Sequence, residues 1–242
     1  VMIDARIGVT DWIHFHDRRA AEAARAGVNP EGFDPPQNRP LLTPINKFWL
    51  EHDEVTLAEV LKPLGYATCH VGKWHLGPRD WFPDRQGFDV NIGGCDYGAP
   101  PSYFDPYSRG GRSIPTMPSR KKGEYLTDRE GDEAVAFIRK HHKKPFFLYM
   151  AFNAPHYPLH AWPEDIAKYK GKFMKGWDAL RIERHNRQLK MGLLDPKWKL
   201  APRDKKVPAW DTLSDKQKKT EDLTMAVFAA MIDRLDQNIG KL

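Results

Sequence analysis

Two cysteines in 242 residues are too few to staple a fold. Cys69 and Cys95 fit neither a metal spacing nor a disulfide framework, so they say nothing about compartment. No run approaches the roughly 18 apolar residues that a membrane-spanning helix needs, and no span is expected. Also missing are the P-loop, a G-x-G-x-x-G turn after a strand, H-E-x-x-H and G-x-S-x-G. Their absence argues against nucleotide-binding α/β units, zinc proteases and serine hydrolases of the usual kinds. No leader-peptide pattern is visible, since Val1-Met2-Ile3 runs straight into Asp4 and Arg6, and that says nothing of what precedes them in a longer chain. The chain reads as an excised segment of a longer protein.

Hydrophobic residues make up 40% of the chain and aromatics 12%, enough for a substantial core. The net charge of +6 is unevenly placed. Residues 168–206 carry 13 Lys/Arg against four acids, a net +9, which leaves −3 for the rest. Such a block can attract nucleic acid. The plainer reading is a solvated, partly helical insertion at about 164–213, and no nucleic-acid partner is expected.

An Ala/Arg-rich stretch from Arg18 to Ala26 is read as helical, followed by a proline-rich loop through Pro30, Pro35, Pro36, Pro40 and Pro44. Thr56-Leu57-Ala58-Glu59 has the form of a capping box. Leu57, Val60, Leu61 and Leu64 follow at helical spacing, and Gly65 sits where a helix end wants a left-handed residue. Tyr66 to Val71 then reads as a short buried strand. The pattern recurs: Thr127-Asp128-Arg129-Glu130 suggests a second box, leading a helix with Ala134, Phe137 and Ile138 on one face. The apolar run from Phe146 to Phe152 suits a strand covered on both faces. Ser214-Asp215-Lys216-Gln217 opens a last helix, whose stripe of Met225, Phe228, Ile232, Leu235 and Ile239 should face a core. Helices alternating with strands through short connections imply an α/β fold, with a mostly parallel sheet and helices on both faces.

Ligands of such sheets bind beyond the carboxyl ends of the strands. Lys73, His75 and His156 fall just past two expected strand ends. An ammonium and two imidazoles gathered at one sheet edge make an anion site. Taken singly, such a lysine is usually solvated and such a histidine usually structural. The glycines bracketing Lys73-Trp74-His75 favour the functional reading, because they permit a tight turn and close backbone approach.

Gly-Lys-Trp-His-Leu-Gly at 72–77, preceded by Thr56-Leu57-Ala58-Glu59 and Gly65-Tyr66-Ala67-Thr68, closely resembles the second signature of type I sulfatases. Gly87-Phe88-Asp89 with Gly93-Gly94 resembles the segment that follows it, and Asn153-Ala154-Pro155-His156-Tyr157-Pro158 resembles the family's central histidine motif. Gly176-Trp177-Asp178, Arg181, Arg184 and Pro208-Ala209-Trp210-Asp211 look like the bacterial arylsulfatase branch. The resemblance implies part of an alkaline-phosphatase-like sulfatase core filling residues 1–242. It also implies hydrolysis of a sulfated small molecule or glycan, and export to a periplasm or beyond. In that family a cysteine in Cys-x-Pro-Ser-Arg is converted to formylglycine by a formylglycine-generating enzyme, and a calcium ion neutralises the sulfate. Carried over by motif, Lys73 and His156 bind the sulfate, His156 protonates the leaving oxygen, and His75 assists on the formylglycine side.

No Cys-x-Pro-Ser-Arg occurs here, nor does the early aspartate pair or the later Asp-Asn-Gly. The nucleophile and the Ca2+ ligands are therefore expected outside this chain, with no metal ligand inside it, and the chain alone is expected to be inactive. Two other readings stay open: a phosphate mono- or diesterase of the wider alkaline phosphatase superfamily, and a non-catalytic sulfatase-like protein that only binds anions.

Overall fold

The computed structural model describes residues 26–29 and 47–242. The proline-rich loop expected through Pro44 lies outside them, as does the helical stretch before it apart from Ala26. Contacts divide the chain into two compact units, residues 1–158 with 237–242, and residues 159–236.

The first unit is built on three parallel strands in the order β2-β1-β5. They are β1 (Ala67–Gly72), β2 (Val90–Ile92) and β5 (Phe146–Ala151). Two short strands, β3 (Ser108–Arg109) and β4 (Arg112–Ser113), form a separate antiparallel pair. The register aligns Cys69 with Val90 and Leu148, and Gly72 with Ala151. Because side chains alternate along a strand, one face carries Cys69 and Val71 with Val90, Ile92, Phe146, Leu148 and Met150. Phe137 of the long helix α2 (Leu126–His141) packs on this face. The other face carries His70, Phe147 and Tyr149, joined by Trp74, Phe88 and Ala58 of the short helix α1 (Leu57–Leu61).

The α1 cap is the expected capping box. The Glu59 amide donates to Thr56 Oγ1 at 3.2 Å, and the Thr56 amide to Glu59 Oε2 at 2.7 Å. Gly65 takes the left-handed conformation at φ 85°. Three expectations need correction. Leu57 and Val60 of α1, and Leu64 in the turn after it, are exposed, and the buried position of the helix is Ala58. The Thr127 box does not form: α2 begins two residues earlier than that cap implies, at Leu126 behind Tyr125, and Glu130 is buried in the interior. On β5, Tyr149 is 46% exposed, so the described residues do not cover both faces of that strand.

The second unit contains α3 (Pro163–Ala167), α4 (Gly176–Lys190) and most of α5 (Asp215–Ile239), and includes the basic segment. Trp177 and Trp210 pack edge to face at 4.9 Å, and Asp178 ties them further by accepting the Trp210 amide at 2.9 Å. Asp222 accepts the Gly171 and Phe173 amides at 2.7 and 2.9 Å. The box at Ser214 forms, with the Ser214 amide donating to Gln217 Oε1 at 2.9 Å. The stripe expected to be core is buried only in part: Met225 is 41% exposed, Ile232 44% and Ile239 52%, while Phe228 and Leu235 are half-buried. Asp222, Ala226, Ala230, Met231 and Asn238 are the buried positions of α5.

Candidate active site

The carboxyl ends of β1, β2 and β5 lie side by side, and each feeds a loop at that edge. Gly72, at φ 101°, ends β1 with its α-carbon pressed against the Ala151 carbonyl, where a Cβ has no room. The Lys73 amide donates to that carbonyl at 2.6 Å, so the Lys73 loop hangs from the last residue of β5. His70, fully buried two residues earlier, hydrogen-bonds through Nε2 to the Lys73 carbonyl at 3.2 Å. A carbonyl has no proton to give, so Nε2 carries it. Burial pushes this imidazole down to about 4, against the upward pull of that hydrogen bond, and it is neutral near pH 7. His70 is thus a structural buttress that sequence reading missed, although its place inside a buried strand marks it.

Lys73 itself is half-buried, and among the described residues its ammonium has no hydrogen-bond or ion-pair partner. Burial holds its pKa below the usual lysine range. A cation withdrawn from water and left without a carboxylate is costly unless an anion completes it.

His75 follows at φ 60°, a left-handed conformation that a histidine rarely adopts and that clusters at functional sites. Its amide donates to the Cys95 carbonyl at 2.9 Å, on the loop leaving β2. Gly98 lies against its ring: a Cβ there would sit 2.6 Å from Cε1. Trp74, between the two site residues, is buried and donates from its indole to the Trp81 carbonyl at 2.8 Å.

His156 sits on the turn leaving β5. Its amide donates to the Asn153 carbonyl at 3.0 Å, and its own carbonyl accepts the Tyr103 hydroxyl at 2.9 Å. Ring atom Nδ1 lies 3.0 Å from the Tyr157 carbonyl, so the proton on Nδ1 is committed there. Nε2 is the atom left to exchange a proton. Lys73, His75 and His156 thus lie on the loops that leave the carboxyl ends of β1 and β5, the first of them hydrogen-bonded to the last residue of β5.

Asp89 ties together the amino-terminal ends of β1 and β2. It accepts from the Thr68 amide at 2.9 Å and the Thr68 hydroxyl at 3.1 Å, and pairs with Lys62 at 2.7 Å. Neither cysteine suits a nucleophile: both are buried, and burial pushes each thiol up to about 12. Among the described residues, no three His, Cys, Asp or Glu side chains form a cluster able to hold a metal ion. No described helix is long and apolar enough to cross a membrane.

Comparison with known proteins agrees with the motifs. The sulfatase family model matches residues 32–242. An uncharacterized sulfatase of Schizosaccharomyces pombe is 31% identical over 209 residues, covering 80% of this chain and 38% of that protein. An arylsulfatase of Klebsiella aerogenes is 30% identical over 200 residues, covering 77% of this chain and 42% of that protein. A solved structure of a putative sulfatase from Bacteroides fragilis aligns at a TM-score of 0.48 and 19% identity, over 80% of this chain and 40% of that one. The chain therefore spans about two fifths of these two relatives, and it belongs to the sulfatase family.

Proposed function

We propose that the protein hydrolyses sulfate esters of a small molecule or glycan, and that Lys73, His75 and His156 supply this chain's share of the active site. The observation that carries the reading is the half-buried Lys73 ammonium, without a partner among the described residues, on a loop tied to the end of β5. In the reaction Lys73 binds a sulfate oxygen and stabilises charge on the SO3 group as the S–O bond breaks. His156, with Nδ1–H committed to Tyr157, acts from its doubly protonated form: Nε2–H gives its proton to the departing alkoxide or phenoxide, which leaves a neutral ring protonated on Nδ1. His75 handles hydrogen bonding on the nucleophile's side.

Family resemblance adds a calcium ion and a formylglycine, which would supply charge neutralisation and the nucleophile. The described residues fit neither: there is no donor cluster for a cation, and both thiols are buried outside any Cys-x-Pro-Ser-Arg. These 242 residues alone are proposed to be inactive. Modification by a formylglycine-generating enzyme, export to a periplasm or beyond, and a solvated role for the basic segment at about 164–213 belong to the same proposal.

The test is hydrolysis of 4-nitrophenyl sulfate by the complete protein. Lys73→Ala should lower kcat/KM by about 100- to 1000-fold, the usual cost of one oxyanion partner. A phosphate ester cleaved in preference to the sulfate ester, or an unimpaired Lys73→Ala, contradicts the proposal.

A further inference from the structure

Behind the His156 turn lies a carboxyl that the proposed chemistry does not use. Glu130 projects from α2 into the interior, where it is completely buried. Its Oε1 accepts from Asn153 Nδ2 at 2.7 Å, and its Oε2 has no partner among the described residues. Among the described residues no arginine or lysine pairs with it. Burial pushes its pKa up to about 8, against the opposing pull of hydrogen bonds from Asn153. The carboxyl is therefore mostly protonated at neutral pH. The titratable group facing it is Tyr103, whose hydroxyl is driven above its usual range by burial and by the nearness of Glu130.

A leucine of similar size would bury here at lower cost, since a half-satisfied buried acid is generally a net burden on stability. What Glu130 adds is a fixed point. It holds the side chain of Asn153, whose carbonyl receives the His156 amide at 3.0 Å, while Tyr103 holds the His156 carbonyl at 2.9 Å. Both anchors are buried side chains on other segments, and between them they bracket the turn that aims the His156 ring.

We propose that Glu130 is a positioning residue: through Asn153 it sets the backbone of the His156 turn, and so the angle at which Nε2 meets the leaving oxygen. This rests on the reading of His156 as the group that protonates the leaving oxygen. The readout follows from that role. Protonation matters little for a good leaving group such as 4-nitrophenoxide and greatly for a poor one. A misaimed His156 should therefore steepen the dependence of kcat on leaving-group basicity while leaving KM nearly unchanged.

The experiment measures kcat and KM of the complete protein on a series of substituted phenyl sulfates, for wild type, Glu130→Leu, Glu130→Gln and His156→Ala. Glu130→Leu should lose roughly tenfold or more in kcat on the poorest leaving groups and much less on 4-nitrophenyl sulfate, as small misplacements of an acid catalyst do. Glu130→Gln, which keeps an acceptor for Asn153, should restore the wild-type slope. A wild-type slope in Glu130→Leu alongside a steep one in His156→Ala overturns the positioning role alone. A flat response in His156→Ala overturns both this inference and the reading it rests on. Should Glu130→Leu fail to fold, Asn153→Ala removes the same tether from the other side and must show the same steepening, and a wild-type slope there overturns the role.

Discussion

Gly72 and Ala151 face each other across the last rung of the β1–β5 ladder, and the Ala151 carbonyl accepts the amide of the residue after Gly72 at 2.6 Å. One contact thus ends two strands and starts the loop that carries Lys73 and His75. Gly72→Ala meets two obstacles, a φ of 101° and a Cβ driven into the carbonyl. The left-handed backbone alone costs about 1–2 kcal/mol, and the collision should bring the total to roughly 3 kcal/mol or more. Urea denaturation checks this, and a variant within experimental error of wild type would contradict it.

Lys73→Ala should behave in the opposite way. The ammonium makes no ion pair among the described residues, so its loss should leave the melting temperature unchanged or slightly higher. Catalysis should nonetheless fall sharply. Thermal melts run beside activity assays separate the two effects, and a large loss of stability would mark Lys73 as structural.

Gly98→Ala tests the placement of His75. The new methyl would lie 2.6 Å from the ring, which must move aside. A shift of about 1 Å in a catalytic group can cost about 100-fold in rate. The expected variant is folded, close to wild type in circular dichroism, and slower by roughly 10- to 100-fold.

His70 and Glu130 predict an unusual dependence of stability on pH. The folded-state pKa of His70 is lowered to about 4, so between 6.5 and 4 the unfolded chain binds the extra proton and stability falls on acidification. The full effect for this buried group is roughly 3 kcal/mol. Glu130 is raised to about 8, so between 4.5 and 8 the folded chain holds the extra proton and stability falls as pH rises. The two slopes oppose each other between about 4.5 and 6.5 and leave a shallow region there. From about 6.5 to 8 only the Glu130 loss remains. Glu130→Gln should expose the acid-side loss, and His70→Gln should extend the alkaline-side loss downward. Urea midpoints from pH 4 to 8 for the three proteins check this, and parallel curves would refute it.

Much of the platform was legible in the sequence for physical reasons. The Thr56 and Ser214 boxes are local hydrogen-bond patterns, and Gly65 answers a local backbone demand. The strands ending at Gly72 and Ala151 follow from short apolar runs bounded by turn residues. What failed depends on tertiary contact. On α5 the buried positions include Asp222, Ala226 and Asn238, small or polar, so hydropathy alone does not mark the buried face. Thr127 and Glu130 carry a box signature, but Glu130 finds Asn153, 23 residues away, and no local rule anticipates that. His70 looks like any strand residue until the Lys73 carbonyl appears beside its ring.

The central claim is that Lys73, His75 and His156 meet around one tetrahedral oxyanion at this edge. The most direct measurement titrates inorganic sulfate into isotope-labelled protein and follows the Lys73 ammonium and the two imidazoles by NMR. Saturable shifts of all three groups, abolished by Lys73→Met, are the predicted result. Shifts confined to the basic residues 168–206, or to one group alone, would contradict the account.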